Sequence, residues 1–223
     1  MSDFSWPERQ RQTAFPIAQP GYMLIMGAAF VTAVFAVLGL TFPALVGLVV
    51  TFCICCFFRD PERVVPNVEG AIVSPADGKV IEAGHAEDDR YYHGACQKIS
   101  IFMSVLNVHV NRIPHEGKVT RIEYCPGKFF CASLDKASCD NEHNAVFVET
   151  QQGKTICFVQ IAGLIARRII SGLQVGDTVV RGRRFGMICF GSRLEVYLPE
   201  DARIDVSVGD RVRAGISVLG YLS

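Results

Sequence analysis

From Tyr22 to Phe58 the chain carries no charged side chain. As one helix that stretch would run about 55 Å, against a hydrocarbon core of roughly 30 Å. Pro43, in Gly39-Leu-Thr-Phe-Pro43, falls near its middle, and each half then spans about 27–30 Å, the length of one crossing. Residues 21–58 therefore read as a two-helix membrane hairpin with its break near Pro43. A re-entrant or interfacial hairpin is the other arrangement the stretch permits. Arg9 and Arg11 precede it, Arg59 and Arg63 follow it, and the connecting turn has no basic residue. The positive-inside rule then puts both ends on the cytoplasmic face of the cell (inner) membrane. Residues 1–20 read as a polar cytosolic tail, since the apolar stretch starts too late and runs too long for a cleaved signal peptide.

From Ala71 the pattern changes to short alternating runs separated by turns, which predicts a mainly β domain over residues 59–223 with few helices. Strands are expected at Ala71–Ile81, turning at Asp77-Gly78, and at Lys98–Met103, Lys118–Tyr124, Ala145–Glu149, Thr155–Ile161 and Leu194–Leu198. Val105–Ile113 also reads as a strand, with His109 on the face of Asn107 and Asn111. One helix is expected at Ala162–Ile170. The polar stretch between Cys125 and Asn144 is long for a compact domain, which points to a functional or disordered loop. Leu173-Gln-Val-Gly-Asp-Thr-Val-Val-Arg-Gly182 recurs as Val206-Ser-Val-Gly-Asp-Arg-Val-Arg-Ala-Gly215, the hairpin grammar of barrel-sandwich domains such as lipoyl carriers. Neither copy has the lysine a lipoyl carrier needs.

Lys and Arg number 22 against 22 Asp and Glu, which removes a bulk electrostatic case for nucleic acid. The one CxxC spacing among the 9 cysteines, Cys53 and Cys56, lies inside the apolar stretch, so no metal site is expected, and the irregular spacing of the rest suits reduced thiols.

The chemistry sits in Met187-Ile-Cys-Phe-Gly191-Ser192. A serine hydroxyl held tightly can attack the carbonyl of the glycine before it, because glycine offers no side chain to block the approach. The resulting ester can eliminate to dehydroalanine, which hydrolyses to a pyruvoyl group. A Gly-Ser pair is also a common turn, Asp77 is a good turn former, and the polar stripe around His109 also suits a solvated face. The neighbours decide.

Phe58-Arg59-Asp-Pro61, Ser74-Pro-Ala-Asp77-Gly78, Asn107-Val-His109-Val-Asn-Arg112-Ile-Pro114, Lys136-Ala-Ser138 with Asn141-Glu-His-Asn144, Gln160-Ile-Ala-Gly163 and Phe185-Gly-Met-Ile-Cys-Phe-Gly191-Ser192 occur in this order. Together they resemble the short prokaryotic branch of the phosphatidylserine decarboxylases, over nearly the whole chain after the apolar stretch. The resemblance implies a proenzyme that cuts itself between Gly191 and Ser192. It implies a large chain of residues 1–191 and a small chain of residues 192–223 that stay together as a heterodimer, with higher oligomers left open. Ser192 would become the pyruvoyl cofactor, and phosphatidylserine would be decarboxylated to phosphatidylethanolamine through a Schiff base at the membrane. Asp77 and His109 match the charge-relay positions. Arg112, Lys136, Ser138 and Asn144, with the Arg167-Arg168 pair, are the residues open to the substrate.

Three positions depart from the pattern. Arg112 stands where longer members have a second histidine, so His109 would serve both self-cleavage and turnover. Phe190 replaces a smaller or aliphatic residue, and His143 replaces an arginine. Two alternatives remain: a membrane-tethered barrel-sandwich adaptor without chemistry, and a decarboxylase of a related serine-headgroup lipid.

Overall fold

Two helices follow one another in the N-terminal part of the chain, α1 (Tyr22–Val37) and α2 (Thr41–Phe57). The computed structural model describes residues 17–88, 90–92, 94–127, 141–163, 169–189 and 192–222. It separates into two compact units with the boundary between Glu62 and Arg63. In the first unit α1 buries none of its side chains and α2 only Phe57, so both helices are apolar all round, as a lipid-facing element is. Gln19–Val37 is long and apolar enough to cross a membrane, and Thr41–Phe57 is a shorter apolar helix. The helices touch where the missing side chain of Gly47 lets Thr32 approach, and the Thr32 and Thr51 hydroxyls lie 3.3 Å apart. Ala18 N–H donates to the Phe58 carbonyl at 2.7 Å, which brings the two ends of the hairpin together.

The break is at Gly39, whose φ of 72° lies in the left-handed region that favours glycine. Pro43 sits in the first turn of α2, where no intrahelical N–H bond is lost. The interruption the sequence suggests near Pro43 is therefore made four residues earlier by the glycine.

The second unit is mainly β, built on a curled sheet. Its strands are β1 (Ala71–Val73), β2 (Gly78–Asp88), β3 (Gly94–Met103), β4 (Val110–Arg112), β5 (Gly117–Cys125), β6 (His143–Glu149) and β7 (Thr155–Ala162). They continue as β8 (Ile169–Ser171), β9 (Thr178–Val179), β10 (Arg184–Ile188), β11 (Ser192–Pro199), β12 (Arg203–Ile204), β13 (Arg211–Val212) and β14 (Val218–Tyr221). Among the described residues, eight form one sheet in the order β13-β2-β3-β11-β7-β6-β5-β9, and two three-stranded sheets have the orders β1-β14-β12 and β4-β10-β8. The core joins all three sheets: Ile72 and Leu219 come from one small sheet, Phe185 from the other, and Ile99, Phe158 and Val196 from the large one.

The two Val-Gly-Asp copies make the same structure twice. Asp177 Oδ2 accepts from Gln174 N–H, and Asp210 Oδ2 from Ser207 N–H, each at 2.8 Å. Gly176 and Gly209 turn the chain with φ of 98° and 105°. Each copy then supplies an edge strand, β9 against β5 and β13 against β2, so the repeats close the two edges of the large sheet and leave β11 near its centre.

Ala71–Ile81 is strand, turn and strand as expected, but β1 pairs with β14 and β2 with β3, so the Ser74–Asp77 bend passes the chain between sheets. Two other expectations change. In Val105–Ile113 only Val110–Arg112 is strand, because the Asn107 side chain captures both the N–H and the hydroxyl of Ser104 and makes a turn. Ala162 ends β7 and Ile169–Ser171 are strand, so no helix spans Ala162–Ile170; residues 164–168 lie outside the described residues.

Candidate active site

Ser192 opens β11, between β3 and β7, with Met103 opposite on one side and Ala162 on the other. It is fully buried, and its hydroxyl donates to the Met103 thioether at 3.3 Å, its partner among the described residues. A thioether is a weak acceptor, so the hydroxyl is oriented without being held strongly. Phe190 and Gly191 lie outside the described residues. Their flanks belong to different sheets, β10 before and β11 after, so the Gly191–Ser192 position lies where the chain changes sheets.

His109 immediately precedes β4. The Met187–Val110 pair and a 3.3 Å bond from Ile188 N–H to the His109 carbonyl set it beside the end of β10. It is fully buried, and Nδ1 lies 2.9 Å from the Asn107 carbonyl. A carbonyl only accepts, so Nδ1 carries a proton, and in the neutral ring the lone pair is on Nε2.

Asp77 has other partners. Oδ1 accepts from Ala214 N–H at 2.7 Å, and Oδ2 pairs with Arg63 at 2.9 Å. Among the described contacts, Ser192 bonds Met103, His109 bonds Asn107, and Asp77 bonds Arg63 and Ala214. Pro75, in the bend that ends at Asp77, accepts from Arg112 N–H at 2.9 Å, so the bend supports the strand that follows His109. Asp77→Ala is expected to lower stability by about 3 kcal/mol, because it leaves the Arg63 guanidinium and a buried N–H without their acceptor. Asp77→Asn, which keeps an acceptor for Ala214, is expected to cost less and to keep self-cleavage. Urea midpoints and gel-resolved cleavage rates check both.

Sequence reasoning missed a chain of buried amides. Asn144 donates to Gln160 at 3.1 Å, Gln160 to Asn111 at 2.9 Å, and Asn111 reaches the Met103 sulfur at 3.9 Å, the atom on which the Ser192 hydroxyl rests. The signal was present in the Asn107–Asn111 stripe, but its partners are set by register between distant strands. Gly186 leaves room for it, since a Cβ there would stand 3.1 Å from Gln160 Nε2 and would strike the Ile170 carbonyl.

Arg112 is buried and donates to the Gly182 carbonyl at 2.9 Å, which turns it toward the end of the first repeat. Lys136, Ser138 and the Arg167-Arg168 pair lie outside the described residues. His143 is buried, with Nδ1 on the Asn141 carbonyl at 2.6 Å and Nε2 against Arg90 at 2.7 Å. Burial, with Arg90 adding to it, holds its pKa below the ordinary imidazole value, so it is a neutral structural link.

On the other face of β11 a charged cluster fixes the residue after Ser192. Arg193 pairs with Glu195 at 2.9 Å and Glu82 at 3.1 Å, and Lys98 pairs with Glu82 at 2.9 Å. Burial alone would raise the Glu82 carboxyl, but Lys98, Ser100 and Arg193 outweigh it and hold its pKa low.

A family model described as "Phosphatidylserine decarboxylase" matches residues 50–220. A phosphatidylserine decarboxylase proenzyme of Syntrophus aciditrophicus is 51% identical over 210 residues, covering 92% of this chain and 96% of that one. Proteins with the same description from Syntrophotalea carbinolica and Cupriavidus metallidurans are 48% and 44% identical, with coverage of 93% and 92% of this chain and 97% and 95% of theirs.

Proposed function

The chain belongs to the phosphatidylserine decarboxylase family, and from that premise we propose that it is a proenzyme that cuts itself between Gly191 and Ser192 and then decarboxylates phosphatidylserine to phosphatidylethanolamine. The observation that supports this most is the place of Ser192, a buried hydroxyl at the start of a central strand, bracketed by β3 and β7.

In self-cleavage the Ser192 Oγ attacks the Gly191 carbonyl carbon. A C–O bond forms, the C–N bond breaks, and the hydroxyl proton leaves. His109 Nε2 is the base, since Asn107 occupies Nδ1. The peptide bond becomes an ester as the freed Ser192 nitrogen takes up the proton; loss of the Cα proton then expels the Gly191 carboxylate from Cβ, and the dehydroalanine left behind tautomerises to an imine that hydrolyses, with loss of ammonia, to a pyruvoyl group. That group supplies an electrophilic carbonyl and an electron sink for the substrate amine. Ser192 would hold such a group at the start of a strand paired on both sides, with β3 and with β7. His109 then returns a proton to the substrate carbon from Nε2. Asp77 acts at one remove, by fixing the Ser74–Asp77 bend that carries β4. Lys136 and Ser138 are proposed for the lipid phosphate, Asn144 for the amide chain beneath Ser192, and Arg112 for holding the Gly182 turn rather than the substrate.

The two chains stay together. β11 keeps both neighbours after the cut, β13 keeps β2, β14 keeps β1, and Asp77 on the large chain holds Ala214 on the small one. The apolar helices and the arginines that flank them support a place at the cytoplasmic face of the cell membrane, where the lipid is. Purified protein in detergent is expected to release CO2 from phosphatidylserine, and a hydrazide probe is expected to label the small chain and stop the release. Labelling without CO2 release would move the activity to another serine-headgroup lipid; neither would favour the adaptor.

A further inference from the structure

A lipid substrate has to reach Ser192 from one end of the large sheet. That end is defined by register: Met103 closes β3, Ser192 opens β11, Ala162 closes β7, His143 opens β6 and Cys125 closes β5. The chain leaving β3 there makes the Ser104–Asn107 turn, which carries Val105 at 45% and Leu106 at 84% exposure. The turn is firm. Asn107 Oδ1 accepts from Ser104 N–H at 2.8 Å and from its hydroxyl at 2.7 Å, and Asn107 N–H returns to the Ser104 carbonyl at 2.9 Å. The turn thus holds an apolar side chain in water. The same residue that closes the turn, Asn107, holds the His109 imidazole through its carbonyl. Whatever sets the height of Leu106 therefore sets the height of His109.

The same end presents Tyr124, 57% exposed, near the close of β5, four strands and on the order of 19 Å from β3. The opposite end of the sheet is unlike it. Glu149, Glu200 and Asp201 are exposed there beside Lys118 and Lys154, and Lys154 pairs with Asp201 at 2.6 Å. A bilayer does not take up charged side chains of either sign and accepts the apolar end.

We propose that the Ser104–Asn107 turn is a membrane-docking tip: Val105 and Leu106 enter the interfacial layer of a bilayer containing phosphatidylserine, with Tyr124 meeting the same interface four strands away, and so set His109 at the depth of the lipid headgroup. This rests on the decarboxylase reading for the identity of the lipid. The tip acts separately from the helical hairpin: the hairpin tethers the chain, and the tip orients the catalytic unit.

The test uses the full chain in which Trp6, its one tryptophan, is changed to Phe and Leu106 to Trp, reconstituted in vesicles of phosphatidylcholine and phosphatidylglycerol. Indole emission is expected to shift to the blue and to be quenched when the phosphatidylcholine carries brominated acyl chains. Emission of a water-exposed indole, or a blue shift without bromine quenching (as burial against a second copy would give), overturns the proposal. This signal needs no turnover, so it is read whether or not the chain is a decarboxylase. A second arm measures Leu106→Asp. Its KM for phosphatidylserine in vesicles is expected to rise about tenfold, the loss of one buried leucine, while its KM for a monomeric short-chain phosphatidylserine changes by less than about twofold. Equal effects on the two substrates, or no effect on either, overturn the tip while leaving the decarboxylase in place.

Discussion

Ser192→Ala is expected to remain one chain of 223 residues, to carry no reactive carbonyl and to release no CO2 above the uncatalysed background. The reason is chemical: alanine has no oxygen with which to form the ester, and no leaving group for the elimination that follows. The fold should survive. The hydroxyl removed is buried and bonded to a thioether at 3.3 Å, a weak partner whose loss costs well under about 1 kcal/mol. The backbone pairs to Met103 and Ala162 do not depend on the side chain. An unchanged urea midpoint beside complete loss of activity separates a missing nucleophile from a damaged core. A destabilised variant would instead show that the hydroxyl supports the strand.

The next largest effect is expected for His109→Asn. The asparagine amide can donate to the Asn107 carbonyl in place of Nδ1–H, so the turn is kept while the nitrogen that takes the proton is lost. Removing a general base slows a step by about 10²–10⁴-fold. With Arg112 where a second histidine could have stood, and with its guanidinium on the Gly182 carbonyl, both self-cleavage and turnover are expected to slow. The first is read from the appearance of the small chain on gels. The second is read as kcat of protein that has been allowed to finish cutting. Slowing of one step alone would assign the other to a different group.

Much of this was legible in the chain. Alternation marked the long strands, and the paired Val-Gly-Asp stretches announced two equivalent turns, though not that each leads into an edge strand on opposite sides of one sheet rather than into a hairpin. Ser192 could be placed in a β core because apolar runs flank it. What failed were readings that depend on a local competitor or a distant partner. Pro43 reads as a breaker, but the first turn of a helix tolerates it, and Gly39 makes the turn. Val105–Ile113 reads as a strand until the Asn107 side chain is seen closing on Ser104. Arg63 reads as a charge flanking an apolar segment, yet it holds Asp77. The other partner of Asp77, the Ala214 N–H, is a backbone group and leaves no mark in a sequence. The Asn111, Gln160 and Asn144 chain crosses three strands, and only strand register brings those amides together.

The most direct test of the central claim is the intact mass of the purified wild-type protein. Two chains are expected, residues 1–191 and 192–223, with the smaller one lighter by one ammonia than the peptide that begins with Ser192. A single uncut chain, or a small chain that begins with an unaltered serine, would contradict self-processing to a pyruvoyl enzyme.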